Sequence, residues 1–180
     1  STALALENPQ ALLAVSSGNH AQGVAYAAQV LGVKALVVMP EDASPYKKAC
    51  ARAYGAEVVD RGVTAENREE VARALQEETG YALIHPFDDP LVIAGQGTAG
   101  LELLAQAGRM GVFPEAVLAP VGGGGLLAGL ATAVKALSPT TLLLGVEPEV
   151  ADDARRSLEA GRLFRLEAPP RTRADGVRTL

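Results

Sequence analysis

The chain has 180 residues, 48% of them hydrophobic and 21% charged, with a formal net charge of −5 and one cysteine. That length and mixture fit one globular domain with a real core and argue against a disordered chain. No run of Lys or Arg offers the clustered cations a nucleic-acid backbone demands, and the longest apolar run, Leu126 to Val134, is far short of the roughly 20 residues of a membrane span.

Neither nucleic acid nor a membrane is therefore expected as a partner. The lone Cys50 excludes an intrachain disulfide framework, suits a reducing cytoplasm and reads as a small buried apolar filler. No charged segment leads into an apolar stretch at the N-terminus, so no export signal is read there.

Short β-branched or Leu-rich runs alternate with longer amphipathic ones, which predicts an α/β fold of parallel strands joined by helical crossovers. The opening "STALALEN" reads as the tail of a helix, over 1–10. Strands follow at Leu12–Val15, Ala35–Met39, Glu57–Val59 and Ala82–Ile84. The helix after the first strand is expected from about Ala21 to Leu31. Ser44 and Pro45 supply an N-cap and a first-turn proline for the next, which Gly55 stops. A third, over 66–79, carries Val71, Ala72 and Leu75 on one face and is stopped by Gly80.

His85-Pro86-Phe87-Asp88-Asp89-Pro90 has no period and two prolines, so it reads as the connection between a unit over 11–87 and a second from 88 to 180. After a long helical stretch come strands at Ala116–Ala119 and Leu142–Val146, and Gly161 stops a later helix. Both ends look abrupt, so the chain is expected to be a piece of something longer.

Two loops carry chemistry. In "VLAPVGGGGLLAGL" a strand runs through Gly122, Gly123, Gly124 and Gly125 into an apolar helix. Successive backbone N–H groups at a helix N-terminus form an anion nest, and one phosphate is its natural guest. The other reading is a tight turn or close helix packing. No Lys-Ser or Lys-Thr follows, so this is not the nucleotide-binding P-loop, nor is the spacing that of the dinucleotide fingerprint. The second loop, "SSGNHAQG", lies at the carboxyl end of the first strand, where open α/β sheets bind ligands. Ser16, Ser17 and Asn19 are each good helix caps. Together with His20 and free N–H groups they also make a cradle for a carboxylate or a phenolic oxygen.

Six blocks, "SSGNHAQGVAYAAQVLGVKALVVMP", "KKACARAYGAEVV", "HPFDDPLVIAGQGTAGLE", "VGGGGLLAG", "GVEPEVADDA" and "ADGV", run in that order along nearly the whole chain. They closely resemble the pyridoxal-phosphate (PLP) enzymes of fold type II, in the threonine dehydratase and serine racemase family. The resemblance implies a three-layer, tryptophan-synthase-β-like architecture, truncated at both ends, with a small substrate-loop domain over 11–87 and part of a large cofactor domain over 88–180. It implies a homo-oligomeric cytoplasmic enzyme, dimer or tetramer, that converts L-threonine or L-serine to a 2-oxo acid and ammonia.

Residue by residue, the resemblance implies that Gly122, Gly123, Gly124, Gly125 and the Leu126 amide hold the cofactor phosphate. Asn19 would bond the cofactor's 3′-oxygen, Gly176 would lie against the cofactor through its backbone, and Phe87 would sit near its ring. Ser16, Ser17, Asn19 and His20 would grip the substrate carboxylate. Arg68 would reach the substrate end of the site, or else be an ordinary solvated helix arginine satisfied by Glu66, Glu69 or Glu70. Glu147, Asp153 and the Ala151 carbonyl would hold a calcium or magnesium ion; the competing reading is that Asp152 or Asp153 caps the next helix.

Ser17 occupies a position where many dehydratases have alanine and racemases have a proton-donating serine. The family's Schiff-base lysine stands in a Ser-Phe-Lys context that none of Lys34, Lys47, Lys48 and Lys135 shares, and Lys47 and Lys48 read as solvated helix lysines. The family's Ser or Cys partner for the pyridine nitrogen would lie beyond Leu180. The 180-residue chain by itself is therefore expected not to catalyse, and a phosphate-binding module without chemistry of its own is the alternative from another class.

Overall fold

The computed structural model describes residues 10–168 and 170–178, so the helix tail expected over 1–10 lies, except for Gln10 in a bend, outside the described residues. The chain divides into two compact units, Ser1–Pro86 and Phe87–Leu180.

In the first unit, strands β1 (Ala11–Val15), β2 (Lys34–Val38), β3 (Glu57–Val59) and β4 (Ala82–Leu83) alternate with helices α1 (Asn19–Leu31), α2 (Pro45–Ala53) and α3 (Arg68–Thr79). All strand pairs are parallel, in the order β3-β2-β1-β4. The chain moves outward from β1 to β3 and then crosses back to lay β4 on the other side of β1. The strand order thus reverses at β1, and the crevice at the carboxyl ends of β1 and β4 is the unit's topological switch point.

Both faces of this sheet are covered, which is why β1 is apolar and buried along all five residues. Leu13, Val15, Leu36 and Val38 pack with Val63 and with Ala72, Val71 and Leu75 of α3. The alternate residues Leu12, Ala14 and Val37 point to the opposite face, where α1 lies on β1 and β2 and buries Ala21, Val24, Ala25 and Ala28. Each fully buried Leu, such as Leu12 and Leu13, contributes about 1.5–3 kcal/mol relative to leaving it in water. The expected glycine stops hold: Gly80 and Gly161 close their helices in the left-handed region, and Gly55 follows Tyr54, the last residue of the α2 turn; Gly32 closes α1 in the same way.

Several local expectations need correction. α1 starts at Asn19, two residues before the expected Ala21, and its cap position is Gly18, with no side-chain capping bond. Ser16 Oγ instead accepts from the Gly18 N–H at 3.1 Å, closing a turn ahead of the helix. Ser44 stands at the α2 cap position but likewise makes no side-chain cap bond. α3 starts at Arg68, because Thr64 and Asn67 form a turn of their own: Thr64 Oγ1 accepts from Asn67 N and Asn67 Oδ1 from Thr64 N.

Lys48 is not solvated. It is buried, its Nζ lies 2.7 Å from Asp60 Oδ2 and it donates to the Glu41 carbonyl at 2.8 Å. Burying an ammonium is tolerable only with such partners. Cys50 is half-buried rather than an enclosed filler, and the Tyr46 hydroxyl bonds to it.

In the second unit, α4 (Pro90–Arg109) precedes the parallel pair β5 (Ala116–Pro120) and β6 (Leu142–Val146), joined by α5 (Gly125–Leu137); α6 (Asp153–Ala160) follows. Asp89 caps α4, its Oδ1 accepting from Leu91 N and Val92 N at 2.8 and 2.9 Å. The close contact of α4 with α5 depends on small residues. A Cβ at Gly97 would sit 3.0 Å from the Gly129 carbonyl oxygen, and one at Gly129 would meet the Ile93 carbonyl and lie 2.7 Å from Gly97 N.

On β5, Val117 and Ala119 are buried on the side of α5, while Leu118, Leu142 and Leu144 are exposed on the other face. Helices thus cover both sheet faces in the first unit and, among the described residues, one face in the second. No helix among the described residues is long and apolar enough to cross a membrane.

Candidate functional site

The loop after β1 leaves the sheet at the switch point. Ser16 N donates to Val38 O at 3.2 Å, which continues the ladder one residue beyond β1. Because no side chain caps α1, the N–H groups of its first turn have no intrahelical acceptor. The Ser17 hydroxyl is half-buried and Asn19 is exposed. Capping therefore does not consume this polar set. First-turn N–H groups, hydroxyls and an amide at a helix N-terminus, with the helix dipole behind them, suit an anionic oxygen.

His20 is held differently. Its Nε2 lies 2.8 Å from the Ile84 carbonyl oxygen, at the end of β4. A carbonyl only accepts, so Nε2 carries the proton. Burial lowers the imidazole pKa below its usual value, with the neighbouring His85 adding to the fall and the bond to Ile84 opposing it. Lys47, in the first turn of α2, brings its ammonium to 4.0 Å from where a Cβ on the buried Gly18 would stand. Sequence reasoning took Lys47 for a solvated lysine. Nothing local in the sequence links it to a glycine 29 positions earlier.

Arg68 opens α3, so parallel topology sets it at the same carboxyl edge of the sheet. Its side chain is only 23% exposed, its guanidinium is 3.8 Å from Glu69 Oε1, and its buried Nε has no hydrogen-bond partner. It is half-buried rather than fully solvated, and its ion-pair contact is with Glu69, one of the three glutamates expected for it.

In the second unit, three separate segments meet at the glycine loop. Gly124 is at φ +84° and forms the N-terminal boundary of α5 without a side-chain cap. A Cβ on Gly123 would overlap the Phe87 ring, and one on Gly125 would lie 2.8 Å from the Phe87 Cα and carbonyl oxygen. A Cβ on Gly122 would be 3.0 Å from Val177 Cα and 3.5 Å from the Gly176 carbonyl oxygen. Phe87, Gly122 to Gly125, the Leu126 N–H in the first turn and Gly176 are thus neighbours. Glycine is required at 123 and 125 by the close approach of Phe87, and no side chain caps the N–H groups at the start of α5. This cradle fits one phosphate.

The acidic turn before α6 is a third feature. Glu147 Oε2 accepts from Arg155 N at 3.2 Å, whereas Oε1 is buried without a partner. Burial raises the Glu147 pKa above its usual value, and Asp153 and Asp152 push the same way. Asp152 is buried and paired with Arg155 and with Arg156, the latter at 3.0 Å. Asp152 stands at the N-cap position of α6 and Asp153 in its first turn, where their charge favours the helix dipole, although neither side chain makes a cap hydrogen bond. Among the described residues no three His, Cys, Asp or Glu side chains cluster as a metal-ligand group. The groups that act on Glu147 electrostatically are Asp153 and Asp152, and its orphan Oε1 is an atom a hard cation would satisfy.

The family model described as "Pyridoxal-phosphate dependent enzyme" matches residues 2–180. A crystal structure of threonine deaminase from T.th. is 93% identical, with a TM-score of 0.94 over 99% of this chain and 57% of that one. L-threo-3-hydroxyaspartate ammonia-lyase of Saccharomyces cerevisiae is 45% identical over 93% of this chain and 50% of its own length. Serine racemase of Homo sapiens is 45% identical over 95% of this chain and 49% of its own. The chain spans about half the length of the curated relatives it matches. Its parallel α/β units, with an uncapped glycine loop at a helix start, are those of fold type II, and the chain belongs to the pyridoxal-phosphate-dependent enzyme family.

Proposed function

We propose that this chain is part of a PLP-dependent threonine dehydratase, which converts L-threonine to 2-oxobutanoate and ammonia and acts on L-serine to give pyruvate. The observation that carries this reading is the 93% identity to a threonine deaminase over 99% of this chain. The bound cofactor would supply an electron sink for the carbanion at the substrate's α-carbon.

The chain's own residues bind and orient. The N–H groups of Gly122 to Gly125 and Leu126 hold the phosphate at the start of α5, with Gly176 and Phe87 bordering it. Asn19 donates to the cofactor's 3′-oxygen. Ser16, Ser17 and the first-turn N–H groups of α1 fix the substrate carboxylate, which leaves the α-hydrogen and β-hydroxyl in one defined orientation. Arg68, whose Nε contacts Glu69 at 3.8 Å but makes no hydrogen bond, serves the substrate end. Glu147, Asp153 and the Ala151 carbonyl would hold a calcium or magnesium ion, which would brace the turn into α6 rather than take part in the reaction.

Serine racemisation is the second reading, favoured by the Ser17 hydroxyl, which is not used as a cap and is free to carry a proton. In the full-length protein, unchanged stereochemistry of L-serine after long incubation removes that reading. The 180-residue chain alone lacks a lysine in the Ser-Phe-Lys context and, on this account, does not catalyse. Incubation with PLP followed by borohydride is expected to leave it unlabelled, and a reduced adduct at Lys34, Lys47, Lys48 or Lys135 would overturn that statement.

A further inference from the structure

We infer that His20 is a positioning residue: its Nε2–H, donated to the Ile84 carbonyl, latches the loop after β1 to the end of β4, and the ring does not itself grip the substrate carboxylate. The inference rests on the proposed reading of that loop as the carboxylate site. His20 and Ile84 are 64 residues apart, and the 2.8 Å bond between them spans the switch point. Ile84 is itself fixed, its N–H donating to Leu13 O at 2.8 Å and its side chain buried. The bond therefore ties the first turn of α1 to a residue anchored in the sheet.

With Nε2 committed as donor, the only other polar ring atom is Nδ1. In the neutral ring Nδ1 is a lone-pair acceptor, which repels a carboxylate instead of binding it. Protonation would convert Nδ1 to a donor, but burial and the adjacent His85 oppose the charged form. Anion binding then falls to Ser16, Ser17, Asn19 and the backbone N–H groups. Their spacing is held by the latch, because the loop has no side-chain cap to fix the start of α1.

The test uses the full-length protein with PLP and three variants, His20→Gln, His20→Asn and His20→Ala. The glutamine amide N–H reaches the place of Nε2, whereas the asparagine amide reaches only that of Nδ1. Asn and Ala are expected to raise the KM for L-threonine about tenfold, the order of effect of losing one part-buried hydrogen bond, with a smaller change in kcat. Gln is expected to bring KM back to within about threefold. Amide hydrogen exchange at 16–20 should quicken in Asn and Ala and not in Gln.

In the unsubstituted protein, 15N NMR of labelled histidine should show the Nε2–H tautomer at neutral pH. An imidazolium or Nδ1–H tautomer there would overturn the inference, as would a Gln variant as impaired as Ala. Uniformly faster exchange through β1, β2 and α1 would overturn it too, because that is general unfolding and not release of a latch. Failure of the carboxylate reading shows separately, as an unchanged KM in Ser17→Ala, and the tautomer and exchange results then still decide the latch.

Discussion

Gly123→Ala is the sharpest perturbation of the glycine cradle. No left-handed φ is needed at Gly123, so alanine meets no backbone penalty there, and the whole cost comes from the overlap of the new methyl with the Phe87 ring. Forcing an extra methyl into a packed contact costs about 1–3 kcal/mol. In a domain of this size that is about 2–4 °C of Tm for each kcal/mol.

The assay is thermal unfolding of the full-length protein together with PLP titration, in four forms: unsubstituted, Gly123→Ala, Phe87→Ala and the double variant. Removing the ring removes the obstacle, so Gly123→Ala should cost almost nothing in the Phe87→Ala background. The expected coupling is about 1–3 kcal/mol. Gly124→Ala is the control: at φ +84° it suffers left-handed strain of about 1–2 kcal/mol whether or not the ring is present. Additive effects of Gly123→Ala and Phe87→Ala would refute the reasoning, since the glycine would then be required for something other than the approach of Phe87.

Three further outcomes are expected. Gly129→Ala should lower Tm and weaken PLP binding together, because its Cβ collides with the Ile93 carbonyl one turn after Gly125; overpacking of about 1–3 kcal/mol exceeds the helix-propensity gain of about 1 kcal/mol. Hydrogen bonding to Lys48 holds the Asp60 carboxyl below its ordinary value of 3.8. The stabilisation is therefore complete above that value and is lost as pH falls through the lower folded pKa. Urea midpoints measured between about pH 2 and 5 should show this loss and Asp60→Asn should abolish it. If Glu147 and Asp153 hold a divalent cation, EDTA should lower Tm in the unsubstituted protein and calcium or magnesium restore it, while Glu147→Gln should not respond to either.

Much of the architecture was legible because local signals and tertiary demand agree. The apolar run of β1 is unbroken since both its faces are covered, and the face of Val71, Ala72 and Leu75 is the one α3 buries. Glycines placed after helices stop them as expected. What escaped the sequence depends on partners far along the chain. Lys48 reads as a surface lysine until Asp60 and the Glu41 carbonyl are brought to it. His20 reads as a carboxylate ligand until Ile84 claims its Nε2.

Capping misled for a local reason. Ser16, Ser17 and Asn19 have good capping side chains, but Gly18 takes the cap position and Ser16 turns back to the Gly18 N–H. The glycine loop was legible as an anion site, whereas its contact with Phe87 joins residues whose sequence separation no local pattern encodes.

The most direct test is a product assay on the full-length protein with PLP, supplying L-threonine and L-serine separately and measuring 2-oxo acid, ammonia and D-isomer. The account predicts PLP-dependent release of 2-oxobutanoate and ammonia from L-threonine, abolished when Gly122 to Gly125 can no longer hold the phosphate. A PLP-loaded protein that releases no 2-oxo acid from L-threonine, or that yields D-serine as its main product from L-serine, would contradict it.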